Sequence, residues 1–222
     1  MARATAKLCF WLRPCRPICL PVRLLGPRNS FFEPMLEPHP LYNHFTERLS
    51  MIPRKSWTGL GFRSVIPRYA NSRDITSGVG AFRGGGRWNT RGIHAVYASL
   101  EPGLSVNEAM RVVFSDRGFS VGDIRPRLVV GIRCRLSSVV DLTVGGSLPG
   151  GLDLSGLLKE DWISANFDGH ESSSQAFGRA VSEISEALLV PSARREGVNL
   201  VIYPTSLRSG STLEIQEQGD LP

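Results

Sequence analysis

Long apolar runs are absent from these 222 residues. No stretch approaches the roughly 18 uncharged apolar positions of a membrane-spanning helix, which predicts a soluble protein. Cysteine is scarce: Cys9, Cys15 and Cys19 fall in the opening segment, and only Cys134 lies beyond it. A disulfide framework or structural zinc site needs ligands clustered inside the fold, and the Cys-x5-Cys-x3-Cys spacing at the start matches no common metal site. The expectation is a reducing, cytoplasmic compartment and no metal. Acidic residues are missing from residues 1–32, which hold Arg3, Lys7, Arg13, Arg16, Arg23 and Arg28. The net charge of +6 therefore belongs to that segment, and from residue 33 onward 20 basic residues face 20 acidic ones. A neutral folded part lacks the electrostatic footprint of a nucleic-acid binder, so no direct contact with nucleic acid is expected of it.

What is present describes one globular domain. A chain that is 41% hydrophobic and 21% charged has enough apolar material for a single core. No internal repeat is visible. In the leader, the apolar segment Leu8–Leu12 is shorter than the roughly 7–15 residues of a secretory signal, and prolines at 14, 17 and 21 break any amphipathic transit helix. The leader, residues 1–39, is expected to be a disordered tail or an extension from an early start, with Met35 and Met51 as candidate true starts. The domain is expected over 40–215, with 216–222 as a tail.

Leu41, Phe45 and Leu49 recur every four residues and predict a short amphipathic helix. Gly61–Ile66, Ile93–Leu100, Leu128–Leu136, Leu188–Val190, Asn199–Tyr203 and Leu213–Ile215 read as strands. Ser105–Phe114, Leu154–Asn166 and Ser173–Ala187 read as helices, and a long loop rich in Gly and Arg follows the first strand. Helices and strands alternate without a repeating βα unit, which predicts the α+β class.

The chemistry-bearing stretch is Ser77–Gly92, SGVGAFRGGGRWNTRG. Glycines 84, 85 and 86 permit positive φ, and Arg83, Arg87 and Arg91 could grip an anion through bidentate hydrogen bonds. It is not a P-loop, because no Gly-Lys-Ser/Thr follows, and it lacks the third glycine of a dinucleotide fingerprint. Alone, such a stretch is more often a mobile surface loop than a phosphate site. Glu108 ends a Ser-x-x-Glu sequence from Ser105 that fits a capping box, and Tyr97 in an apolar strand fits a core tyrosine. Neither residue by itself marks a site.

Taken together, the motifs resemble the RES family, named for its Arg, Glu and Ser. Gly85-Gly86-Arg87-Trp88-Asn89 precedes Val96-Tyr97-Ala98-Ser99 and then Asn107-Glu108-Ala109. Further along come Gln175-Ala176-Phe177-Gly178, Val190-Pro191-Ser192-Ala193 and Asn199-Leu200, and Phe62-Arg63 resembles the family's opening step. The resemblance spans residues 60–206, departing where Tyr203-Pro204 stands for the family's Asn-Pro.

The resemblance implies a fold similar to that of ADP-ribosyltransferases, a small split β-sheet with helices around an NAD+ cleft. It implies a bacterial toxin that depletes NAD+ by phosphorolysis or hydrolysis, opposed by a helix-turn-helix antitoxin that blocks the cleft. Modification of a protein by ADP-ribosylation is the alternative activity, and an inactive binding module the non-enzymatic one. Arg87 and Arg63 would bind the diphosphate, and Tyr97 would stack on the nicotinamide or hold it through its hydroxyl. Glu108 would bond the ribose and stabilise its developing positive charge. Ser192 would contact the ribose or orient the acceptor, its simpler reading being a Pro-Ser turn. Phosphate is the preferred guess for the acceptor, on the strength of the loop arginines.

Overall fold

A computed structural model describes residues 36–114, 126–144, 152–193 and 195–216, with the side chains of 111–114 left aside. The expectations for the leader through Met35 and for most of the tail lie outside these residues. Among the described residues, six strands form one sheet that closes on itself. Strand β1 (Arg54–Val65) runs antiparallel to β3 (Leu128–Asp141), from Arg54 opposite Val140 to Val65 opposite Leu128. Strand β2 (Val96–Ser99) touches β1 through Phe62 and Ser99, and pairs along its length with β5 (Val198–Ile202). β5 pairs antiparallel with β4 (Ala187–Pro191), and β4 runs parallel to the end of β3. The circuit β1–β2–β5–β4–β3–β1 is then complete, and β6 (Thr212–Ile215) joins β3 beside β4.

Alternation along the strands supplies two cores, because successive side chains point to opposite faces. Ile132, Cys134, Leu136, Leu189, Leu200 and Ile202 fill the inside of the circuit, while Arg133 and Arg135 between them are exposed. Leu188, Val190 and Val201 point outward, where α1 (Tyr42–Ser50) and α7 (Ser173–Ile184) cover them. Phe177 of α7 meets Phe45 of α1 edge-on at 5.7 Å and Trp88 at 6.1 Å. The predicted helix at 41–49 is α1, with Phe45 and Leu49 as its buried residues.

The remaining elements agree in kind and shift in extent. Leader residue Glu37 already pairs its backbone with Gly169 and Glu171, three residues ahead of the expected domain start. β1 begins seven residues before the expected strand, because its first half is solvent-facing and shows no apolar run. The Gly/Arg loop contains α2 (Ser72–Thr76), capped by Asn71, and α3 (Val79–Gly84). The helix expected over 154–166 divides into α5 (Leu154–Lys159) and α6 (Trp162–Phe167), because Asp161 accepts from the N–H groups of Ile163 and Ser164 and starts a new helix. The result is a single mixed α/β domain, in keeping with the α+β expectation. Among the described residues no helix is long and apolar enough to cross a membrane.

Candidate active site

Tyr97, Ser99, Asn199 and Val201 share one face of the sheet, because Tyr97 pairs with Val201 and Ser99 with Asn199 across β2 and β5. Val190 of β4 lies opposite Asn199, and the chain leaves β4 through Pro191 to bring Ser192 alongside. The helix α4 (Pro102–Phe114) follows β2 after two residues and carries Glu108 back to this strand end. There Glu108 Oε1 accepts two hydrogen bonds, from Ser192 Oγ at 2.7 Å and from Asn199 Nδ2 at 3.0 Å. Asn199 Oδ1 in turn accepts from Ser99 Oγ at 2.7 Å. A half-buried carboxylate is thus held by residues 84 and 91 positions away in the chain.

The capping-box reading of Glu108 is therefore corrected. α4 starts at Pro102, so Ser105 lies inside the helix and donates its hydroxyl to Pro102 O. Glu108 stands in the second turn and reaches outward to other elements. The proline at the first helical position, whose missing N–H costs nothing there, was the available signal for the earlier start.

Arg87 and Tyr97 belong to a second cluster, two residues up β2 or about 7 Å along the strand. Tyr97 Oη donates to Asn89 Oδ1 at 2.7 Å and accepts from the Trp88 N–H at 2.9 Å. Burial pushes the Tyr97 phenol above its usual range, against the opposing pull of the Trp88 N–H and the Arg87 charge. Its hydroxyl stays protonated and committed to the turn, and its ring packs against the core beneath α7. Arg87 Nη1 donates to the carbonyls of Leu157 and Glu160 at 3.0 and 2.8 Å, where the end of α5 presents acceptors. The Glu160 carboxylate reaches on to the N–H groups of Ser173 and Ser174 at the start of α7.

The glycine-rich turn is a packed structure. Gly85 ends α3 with a positive φ of 71°, which glycine adopts without strain. Gly86 leaves room for Tyr97, since a Cβ there would lie 2.5 Å from Oη. Gln175 Nε2 donates to Gly86 O, Asn89 O and Asn166 Oδ1 and pins the turn to α7. Asn89 is fully buried and donates to the carbonyls of Ala81, Thr90 and Ile93. Arg63 donates Nη1 to Ile75 O, and its burial depresses the guanidinium pKa against the favourable pull of Asp74. Arg83 and Arg91 are exposed.

Of the expected site residues, the structure joins Glu108 to Ser192 directly and couples Arg87 electrostatically to Tyr97. Arg63 is tied to α2 instead. Asn199 and Ser99 were missed as site residues. The signal was a lone asparagine in the apolar strand Val198–Ile202, where a polar side chain needs a buried partner. Among the described residues, no group of three or more His, Cys, Asp or Glu is placed to hold a metal.

A carboxylate clamped at the outer face of a closed sheet, near the glycine-rich turn that carries Arg87, belongs to a single mixed α/β domain. Residues 62–222 match the RES domain, and the chain belongs to that family. A chain in the crystal structure of the M. tuberculosis MbcT–MbcA toxin–antitoxin complex has a similar fold, with a TM-score of 0.56 at 23% identity. The match covers 78% of this chain and 89% of that one. No curated relative matches.

Proposed function

We propose that this chain is a toxin that depletes NAD+ by cleaving the bond between nicotinamide and ribose. The observation that carries the proposal is the Glu108 carboxylate, held on one oxygen by Ser192 and Asn199 at the end of the same strand that carries Tyr97. Membership of the RES family and the toxin–antitoxin context of the similar structure support it.

Cleavage releases neutral nicotinamide and leaves positive charge on the ribose. Glu108 meets that charge, and its preset orientation is what makes a carboxylate effective, at about 3 kcal/mol of barrier for one well-placed group. Tyr97 offers its ring face to the nicotinamide. Arg87, held rigid by the α5 carbonyls, supplies positive charge for the diphosphate. Ser192 orients the carboxylate or the acceptor. The acceptor is phosphate or water, within an ADP-ribosyltransferase-like arrangement of sheet and cleft. The protein acts in the cytoplasm, restrained by a helix-turn-helix antitoxin. The second reading transfers the same ribosyl group to a protein.

The test incubates the purified chain and a Glu108→Gln variant with NAD+, in phosphate and in phosphate-free buffer. NAD+ loss in the wild type alone is the expected result, and dependence on phosphate identifies the acceptor. Label appearing on a protein selects the transferase. Absence of both NAD+ loss and labelling in every buffer overturns the enzymatic reading.

A further inference from the structure

We infer that Ser99 is a positioning residue that acts on Glu108 through Asn199. Ser99 is buried at 2% exposure, and its hydroxyl donates to Asn199 Oδ1 at 2.7 Å. The other end of that amide donates to Glu108 Oε1 at 3.0 Å. The order of donors is forced by chemistry. An ionised carboxylate only accepts, so the amide must present its NH2 to Glu108. The amide oxygen then faces inward and requires a donor, and the Ser99 hydroxyl is placed to be one. Without it, a half-buried carbonyl oxygen loses its donor and the amide gains a reason to rotate away.

The consequence falls on one carboxylate oxygen. Asn199 and Ser192 both bond Oε1, and among the described residues no hydrogen bond reaches Oε2. Two donors on one oxygen fix the plane of the carboxylate and turn Oε2 toward whatever enters. This rests on reading Glu108 as the group that meets the ribose, and it assigns that contact to Oε2. Ser99 touches no reacting atom itself, so its effect belongs in the turnover rate and not in substrate affinity.

Two measurements test this, and the second stands without any activity. In the first, Ser99→Ala is expected to lower kcat for NAD+ loss about tenfold with KM unchanged, the size expected when the Asn199 bond to the Glu108 carboxylate, a hydrogen bond to a charged group, is lost in consequence. Ser99→Thr, which keeps the hydroxyl, restores the rate. In an Asn199→Ala background, Ser99→Ala is expected to add less than about a twofold loss, because its route to Glu108 is already cut. Multiplying losses in the double variant, or a rise in KM in place of the fall in kcat, overturns the inference. In the second, the side-chain amide resonances of Asn199 are followed by NMR. They are expected to respond to Glu108→Gln in the wild type and not in Ser99→Ala. An Asn199 amide indifferent to the loss of the Ser99 hydroxyl overturns the positioning role even in a chain that consumes NAD+. An intact amide signature in a chain that consumes none overturns the proposed activity and leaves the positioning in place.

Discussion

Glu108 receives both of its hydrogen bonds on a single oxygen, and this makes its replacement unusually clean. A glutamine at 108 can still accept from Ser192 and Asn199 through its amide carbonyl while losing the charge. Glu108→Gln is therefore expected to stay within about 1 kcal/mol of wild-type stability by urea unfolding, while NAD+ loss disappears. Destabilisation well beyond that would mean the charge serves the fold. Gly178 behaves in the opposite way. A Cβ there would lie 2.1 Å from Trp88 O, the same carbonyl that accepts from the buried Tyr203 hydroxyl. Neither backbone can retreat without breaking the turn that holds Arg87. Gly178→Ala is expected to cost about 3 kcal/mol, at the upper end for overpacking, and a Tm close to wild type would show that the turn yields. The sequence displayed these glycines but not their reasons, since a close approach between residues 88 and 178 has no local trace.

At the scale of elements, two serine-led helix starts that look alike in sequence behave differently. Ser172 caps α7 by accepting from the Gln175 N–H, and the Gln175 side chain accepts from the Ser172 N–H in return. Ser105 sits inside α4 and donates its hydroxyl to Pro102 O, one turn back in the same helix. Ser172→Ala is expected to lower stability by about 1 kcal/mol, and Ser105→Ala by clearly less, as read by paired urea titrations. Equal losses would contradict the placement of the α4 start. The division of α5 from α6 has a similar origin. Asp161 prefers to cap the following turn, and Glu160 stays extended, with ψ of 137°, so that its carboxylate can reach the start of α7. A periodicity reading merges the two helices, because it weighs apolar spacing and not the competition of a side chain for backbone N–H groups.

Across the whole molecule, three carboxylates tie distant parts of the fold together. Glu186 is fully buried, and accepts from the backbone of Ser137, Ser138 and Arg208. Burial pushes its pKa up, but the hydrogen bonds from Ser211, Arg208, Ser138 and Ser137 win and hold it below the ordinary value. Glu160 at the α7 start and Asp141 beside Lys55 and Thr143 are likewise depressed, each against an opposing contribution from burial. A carboxyl with a folded-state pKa below its unfolded one adds stability above the unfolded value, near 4.5 for Glu and 3.8 for Asp. That contribution is lost as pH falls through the folded value. The urea midpoint is therefore expected to be flat from pH 7 to about 5 and to fall below about 4.5. Glu186→Gln should flatten that acid limb while lowering the plateau, and an unchanged limb would remove Glu186 from the account.

By itself the sequence determined the even charge balance from residue 33 onward, the mixed α/β class, most strand positions and the family, through Arg87, Tyr97, Glu108 and Ser192 in their order. These are properties of local pattern, because alternation, four-residue spacing and short motifs all sit within a few residues. Only the tertiary structure decided that the sheet closes on itself, that Glu108 leaves its helix for Ser192 and Asn199, and that the glycine turn is packed against Gln175 and Tyr97. The Glu108 and Gln175 contacts depend on groups some 80 to 90 positions apart finding one another, and closure of the sheet pairs strands that are likewise distant in the chain. Hydrogen-bond pairing of buried polar groups is enforced by the low polarity of the core, and the chain reveals the partners only once that core has formed.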